Sequence, residues 1–237
     1  MGPAARAGGE GVSGGNAAAL VAVAVVPLIA LMLSAFVKTS VVMSLLRNAL
    51  GAPQTPPDLV VTGVALLLTA FVMAPVARDV VAAIERPGVA APAPAPGVPA
   101  PPPYHLDLDQ APPDGWLAAA ERGAVPVRAF LARHAHADDR ATFAKVASDL
   151  RGAPVADDDL AVLSVSFVAS ELAEAFAIAF LVFLPFLLID VIVGVTLGAL
   201  GLTTVQPTTI ALPIKLLLFV AVGGWRLLFE GLLRGYA

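Results

Sequence analysis

Four runs of apolar residues, separated by polar stretches of very unequal length, set the pattern of this chain. They cover about 17–46, 59–76, 160–195 and 210–233. None alternates strictly between apolar and polar positions as a barrel strand does, and each is long enough for a helix. A bilayer span needs roughly 20 apolar residues. The pattern therefore predicts four membrane-grade helical segments. The first, interrupted by Pro27 and Lys38, is too long for the apolar core of a secretory signal and has only Arg6 before it, so it is expected as a retained helix behind a flexible lead-in, 1–16.

The connections sort these segments into pairs. Between the first two lies RNALGAPQTPPD, where Gly51 suits a helix C-cap, prolines stop the helix and Asp58 is placed to cap the next one. The connection is short, so 17–76 is expected as a helical hairpin. Between the second and third lies a long polar insert, 77–159, with eight basic and twelve acidic residues. Its ERPGVAAPAPAPGVPAPPP tract reads as extended, polyproline-like chain. WLAAAERGAVPVRAFLARHA and DRATFAKVASDL read as short amphipathic helices. Asp157, Asp158 and Asp159 precede the third segment, where carboxylates suit a helix N-terminus. The second hairpin is expected over 160–237. Its connection, about 198–209, lies in LGALGLTTVQPTTIALP, which is chargeless yet holds two glycines, two prolines and four threonines. Such backbone does not survive facing lipid, because its polar groups go unpaired; it must meet water, protein or a pore.

Composition agrees with the pattern. The residues are 58% hydrophobic and 14% charged, and mean hydropathy is +0.86. Soluble domains average about 45–50% apolar and about 25% charged. The fold class is all-α and membrane-associated, built of bent hairpins around a polar insert. A net charge of −4 argues against nucleic acid as a partner. With no cysteine, thiolate chemistry and disulfides are excluded. Lys38 and Arg47 bracket the end of the first segment, so the positive-inside rule puts both short connections in the cytoplasm and the insert outside.

Candidate chemistry is sparse. The pair in RHAHADD, His134 and His136, matches no closed metal site. There is no serine elbow, phosphate loop or HExxH motif, so neither catalysis nor a cofactor is expected. The charges within the apolar segments are Lys38, Glu171, Glu174, Asp190, Lys215, Arg226 and Glu230. Each costs at least about 2.5–3.5 kcal/mol at membrane depth and normally finds a partner or water. Glu171 and Glu174 share a helical face. Asp190, 19 residues beyond Glu171, is rotated about 100° away, and Pro185 is expected to bend the helix between them. These carboxylates do not form one acid–base dyad. A proton relay and charges lying outside the bilayer are alternatives; ion pairing between helices or subunits is the preferred reading.

Four strings, in order, carry a resemblance: AFVKTSVVMSLLRNALG (35–51), GVALLLTAFVMAPV (63–76), FVASELAEAFAIAFLVFLPFLLIDVIV (167–193) and QPTTIALPIKLLLFVAVGGW (206–225). Together they resemble the FliP/SctR (YscR) family of type III secretion export-apparatus proteins, and cover all four apolar segments. The wording around Lys38 and Asn48 looks more like the injectisome branch, since flagellar relatives more often carry arginine and glutamine there. The resemblance implies a structural pore subunit and no enzyme. It implies a pentamer joined to two small companion membrane proteins (SctS-like and SctT-like), passing unfolded substrates through a central channel. It implies a bacterial inner-membrane assembly held largely on the periplasmic side, so that four simple spans describe insertion better than the final structure.

Residue by residue, the resemblance implies an ion pair between Glu171 and Lys215, within or between subunits. It implies that Lys38, Glu174, Asp190 and Arg226 are assembly charges. It makes the third connection a pore loop, where relatives carry consecutive methionines as a soft gasket. Here Leu202, Thr203, Thr204 and Val205 stand instead, and Gly223 replaces a usual aspartate. The runner-up reading is a small-solute or proton-coupled transporter using Glu171, Glu174 and Asp190. Such transporters often show internal repeats, and none is visible.

Overall fold

The computed structural model describes residues 25–51, 57–85 and 115–236. The flexible lead-in and the proline–alanine tract expected from sequence lie outside the described residues. Among the described residues there are eight helices and no strand. They are α1 (Val25–Met32), α2 (Phe36–Leu50), α3 (Asp58–Glu85), α4 (Gly115–His134), α5 (Ala137–Arg151), α6 (Leu160–Ala199), α7 (Pro207–Ala221) and α8 (Gly224–Arg234). By length and composition α3 and α6 can each cross a membrane, and so can the bent pairs α1–α2 and α7–α8.

The two sharp bends fall at identifiable residues. α1 and α2 meet at 70°. There Ser34 Oγ donates to the Leu31 carbonyl at 2.7 Å and accepts the Phe36 N–H at 3.3 Å. A serine hydroxyl used in this way competes with the helical ladder and ends it. α7 and α8 meet at 63°, where Gly223 has φ +65°. Its neighbour Gly224 has no room for a side chain: a Cβ there would lie 2.2 Å from the Phe219 ring. Pro185, by contrast, does not break α6, which runs on through it for 40 residues. That length is about 60 Å, twice a hydrocarbon core.

Helix ends follow local chemistry. Gly51 closes α2 at φ +78°, and its N–H meets the Asn48 carbonyl at 3.0 Å. Asp159 caps α6 by accepting the Ala161 N–H at 2.9 Å; this backbone donor holds its carboxyl below the usual range. Asp58 opens α3 and meets Arg47 across the first connection. α3 continues past the boundary drawn at 76/77 to Glu85. Polarity ends the apolar run there, yet packing keeps the helix. Val80 and Ile84 lie against Gly123 of α4, and Arg122 donates to the Ala83 and Ile84 carbonyls.

The two predicted hairpins are not separate bodies. α2 packs on α3, α6 and α7 together. The main core joins Val42, Met43 and Leu46 of α2 to Phe186, Phe219 and Leu232 from three later helices. A second core sets Phe130 and Leu131 of α4 against Leu163 and Phe167 of α6, so the insert helices are built onto the second hairpin. A small third cluster, Val193, Leu197 and Ala211, ties α6 to α7 beside their connection, with Val205 against it.

Candidate functional site

Two buried charge sites organise the bundle. The first lies where the N-terminal turns of α2 cross α6. Lys38 is 1% exposed, and its Nζ lies 3.0 Å from Glu171 Oε1 and 2.8 Å from Glu174 Oε2. Glu171 is also fully buried, and its second oxygen takes the Tyr236 hydroxyl. The Tyr236 ring completes the wall, with Lys38 Nζ 4.1 Å from its centroid. A cation over an aromatic face is attracted by the ring quadrupole. Burial, and then the Glu171 charge, push the Tyr236 hydroxyl well above its ordinary pKa, so it stays protonated and donates.

The insert closes the same site. His136, at the α4–α5 corner, places Nε2 2.9 Å from Glu174 Oε1, and its backbone N–H donates to Ser170 Oγ at 2.9 Å. Ser170 Oγ in turn lies 2.6 Å from Asp139 Oδ2. His134 lies tilted against the Phe130 ring and edge-on to Tyr236. Burial, helped by Lys38, holds His134 below the ordinary histidine range. Four elements therefore meet on Lys38 and its carboxylates. Nearby, Thr39 and Thr69 join α2 to α3 at 3.3 Å.

The second site lies at the far end of α2. Lys215 of α7 reaches Asp190 Oδ2 at 2.7 Å and the Ala49 carbonyl at 3.1 Å. A lysine at a helix C-terminus satisfies an orphan carbonyl and complements the helix dipole.

This geometry corrects one expectation. Glu171 and Lys215 do not pair within the chain: Glu171 belongs to Lys38 and Tyr236, and Lys215 belongs to Asp190. The reason is distance along α6. Glu171 and Asp190 are 19 residues apart on one continuous helix, about 28 Å, and Lys215 stands at the Asp190 end. Lys38, Glu174 and Asp190 are thus brought into ion pairs, while Arg226 has none among the described residues. Arg226 is exposed on α8, lining a shallow groove with Phe71, Phe229 and Glu230, and Glu230 pairs with Arg234 at 2.6 Å. Leu202, Thr203 and Thr204 are exposed at the α6–α7 turn; Val205 is half-buried. Sequence reasoning missed Tyr236, Ser170 and Asp139, and set His136 aside as a solvated helix residue after weighing it as a metal ligand. The available signal was Ser170 beside Glu171 in the SEL triplet. Nothing local marked Tyr236.

Comparison with known proteins places this architecture. The FliP family model matches residues 19–232. The chain is 39% identical over 220 residues to the hypersensitivity response secretion protein HrcR of Ralstonia nicotianae, covering 91% of this chain and 94% of that protein. It is 37% identical over 217 residues to the Yop proteins translocation protein R of Yersinia pestis, covering 89% and 90%. It is 40% identical over 212 residues to the flagellar biosynthetic protein FliP of Pectobacterium carotovorum, covering 89% and 73%. A family match over residues 19–232, with relatives of this similarity over nearly the whole chain, means that the chain belongs to the FliP family of secretion-apparatus proteins.

Proposed function

We propose that the protein is a structural pore subunit of a type III export gate, of the injectisome branch, that assembles with copies of itself and two small companion membrane proteins. Unfolded substrates pass through the channel so formed. The carrying observation is the tip of the α6–α7 hairpin. Leu200 and Leu202 are exposed there beside Thr203 and Thr204, in a chargeless turn between two highly apolar helices. Exposed turn backbone is not stable against lipid. Set among neighbouring subunits, the same turn becomes a ring of small and apolar groups around a central opening, with Leu202 and Val205 as the material of its seal.

Branch assignment draws on length. Identity does not separate the relatives, but the chain spans 94% of the HrcR protein and 73% of the Pectobacterium FliP. On the positive-inside reading of Arg47 beside the short α2–α3 connection, the insert faces the outer side of the inner membrane; Lys38, the α4–α5 corner and Tyr236 share the insert's end of the bundle, and the Lys215–Asp190 site marks the other. The transporter alternative gains little, because Glu171, Glu174 and Asp190 are engaged in ion pairs that hold helices together.

The test is co-expression with the two companion proteins and native mass spectrometry of the detergent-extracted complex. A pentamer carrying both companions is expected. A monomer or dimer that ignores them would sink the export-gate reading and return attention to solute transport.

A further inference from the structure

Three carboxylates converge near Lys38. Glu171 and Glu174 meet Lys38 directly, and Asp139 joins through Ser170. The fourth member is His136. Its Nε2 lies 2.9 Å from Glu174, and its Nδ1 lies 3.8 Å from Asp139 Oδ2. A neutral imidazole carries one N–H. Placed on Nε2, that proton satisfies Glu174 and leaves a bare nitrogen lone pair turned to the Asp139 carboxylate. A second proton, on Nδ1, replaces that repulsion with attraction. Histidine changes charge between pH 5 and 8. His136 is half-exposed, so protons reach it from the aqueous side.

We propose that the α4–α5 corner is a proton-binding clamp: one proton taken up on His136 bridges Asp139 of the insert to Glu174 of α6 and tightens the insert onto the bundle. The ligand is the proton itself. The groups facing His136 are Asp139 from α5, Glu174, Glu171 and Ser170 from α6, Lys38 from α2, and His134 and Tyr236 beside them. Lys38 and a charged His136 together offset two of the three carboxylates. Excess negative charge at the corner falls, and the insert docks more firmly as its surroundings acidify. The clamp joins segments of one chain, so it stands independently of the channel proposed above.

The experiment is hydrogen–deuterium exchange of the full chain in its detergent-extracted complex, at pH 8 and pH 6, corrected for intrinsic exchange. Protection of residues 134–140 is expected to rise about two- to fivefold at pH 6, the range of a half-exposed ion pair. His136→Gln keeps a donor for Glu174 but takes no proton, and flattens this response. His134→Gln removes an opposing loss at acid pH and leaves the response in place or enlarges it. Should His136→Gln fail to fold, Asp139→Asn removes the carboxylate that the second N–H meets and is expected to cut the response at least by half. A corner whose protection is unchanged by pH in the parent protein overturns the proposal. So does a full response in whichever of the two clamp variants folds.

Discussion

Lys38 and Glu171 lie 3.0 Å apart with their side chains each 1% exposed, on helices that belong to different predicted hairpins. The contact is an ion pair, not an aligned hydrogen bond, since neither atom meets hydrogen-bond geometry with the other. Its consequence is asymmetry. Removing Lys38 strands Glu171 in the core, whereas removing Glu171 leaves Lys38 on Glu174 at 2.8 Å.

Lys38→Met is therefore expected to destabilise the purified protein by about 3–5 kcal/mol, and Glu171→Leu by less, because Lys38 keeps Glu174. The double variant is expected to recover part of that loss. Thermal melts of the four proteins form a cycle, and strictly additive losses would show that the pair is not coupled.

The far site makes a contrasting prediction. Reversing the pair, as Asp190→Lys with Lys215→Asp, is expected to restore part of the stability that either change removes alone. The matched reversal of Glu171 with Lys215 is expected to restore none, because Lys215 stands at Asp190, about 28 Å from Glu171 along α6. Rescue by the second reversal in the assembled complex would point to a pairing across subunits instead.

Gly224→Ala is expected to cost about 1–3 kcal/mol through overpacking against the Phe219 ring. Phe219→Leu in the same chain is expected to relieve much of it. Gly223→Ala is strained for a different reason, its φ of +65°, and the Phe219 change gives it no relief. Melting temperatures of the four variants distinguish steric from backbone strain.

Acid also acts on the fold through Asp159 and His134, which lie outside the apolar spans. Asp159 has a depressed carboxyl pKa in the folded state, so its stabilisation is present above the unfolded value of 3.8 and is lost as pH falls through the folded value. His134 also titrates lower when folded, and the neutral ring is the packed form. Stability is flat above the unfolded value of 6.5 and declines below it as the unfolded chain takes up the proton first. His134→Phe is expected to remove the decline between pH 6.5 and the folded value, measured by melts across pH. A slope that survives the substitution would assign it elsewhere.

At the pore loop, Thr203→Met with Thr204→Met is expected to leave the melting temperature unchanged, since both residues are exposed. Under the proposed channel the same pair lowers ion leak through the assembled gate, because soft thioethers fill irregular gaps. Conductance of the reconstituted complex reads this directly, and an unchanged leak would remove the loop from the seal.

Much of the fold was legible because membrane-grade helices announce themselves. The described parts of the four apolar runs are helical, Gly51 closed α2, Asp159 capped α6, and the two patterned strings of the insert became α4 and α5. These features depend on neighbours within a few residues. The end of α3 was missed because Val80 and Ile84 are held by α4, far along the chain. Pro185 drew attention as a bend and was carried through, while Ser34 and Gly223 mark the actual turns.

The sequence by itself determined that this chain is helical, membrane-grade and free of catalytic equipment to recognise, and that its intramembrane charges must find partners. Hydropathy and helical spacing are local quantities, and they suffice for that. Which charge meets which was decided by the tertiary structure alone. Opposite charges in separate apolar segments satisfy the sequence in several pairings. Only the crossing of α2 over the first half of α6, with Lys215 near its second half, selects Lys38 for Glu171 and Asp190 for Lys215. Tyr236 and His136 joined for the same reason: a desolvated charge draws any donor the fold brings within reach, wherever that residue stands in the chain.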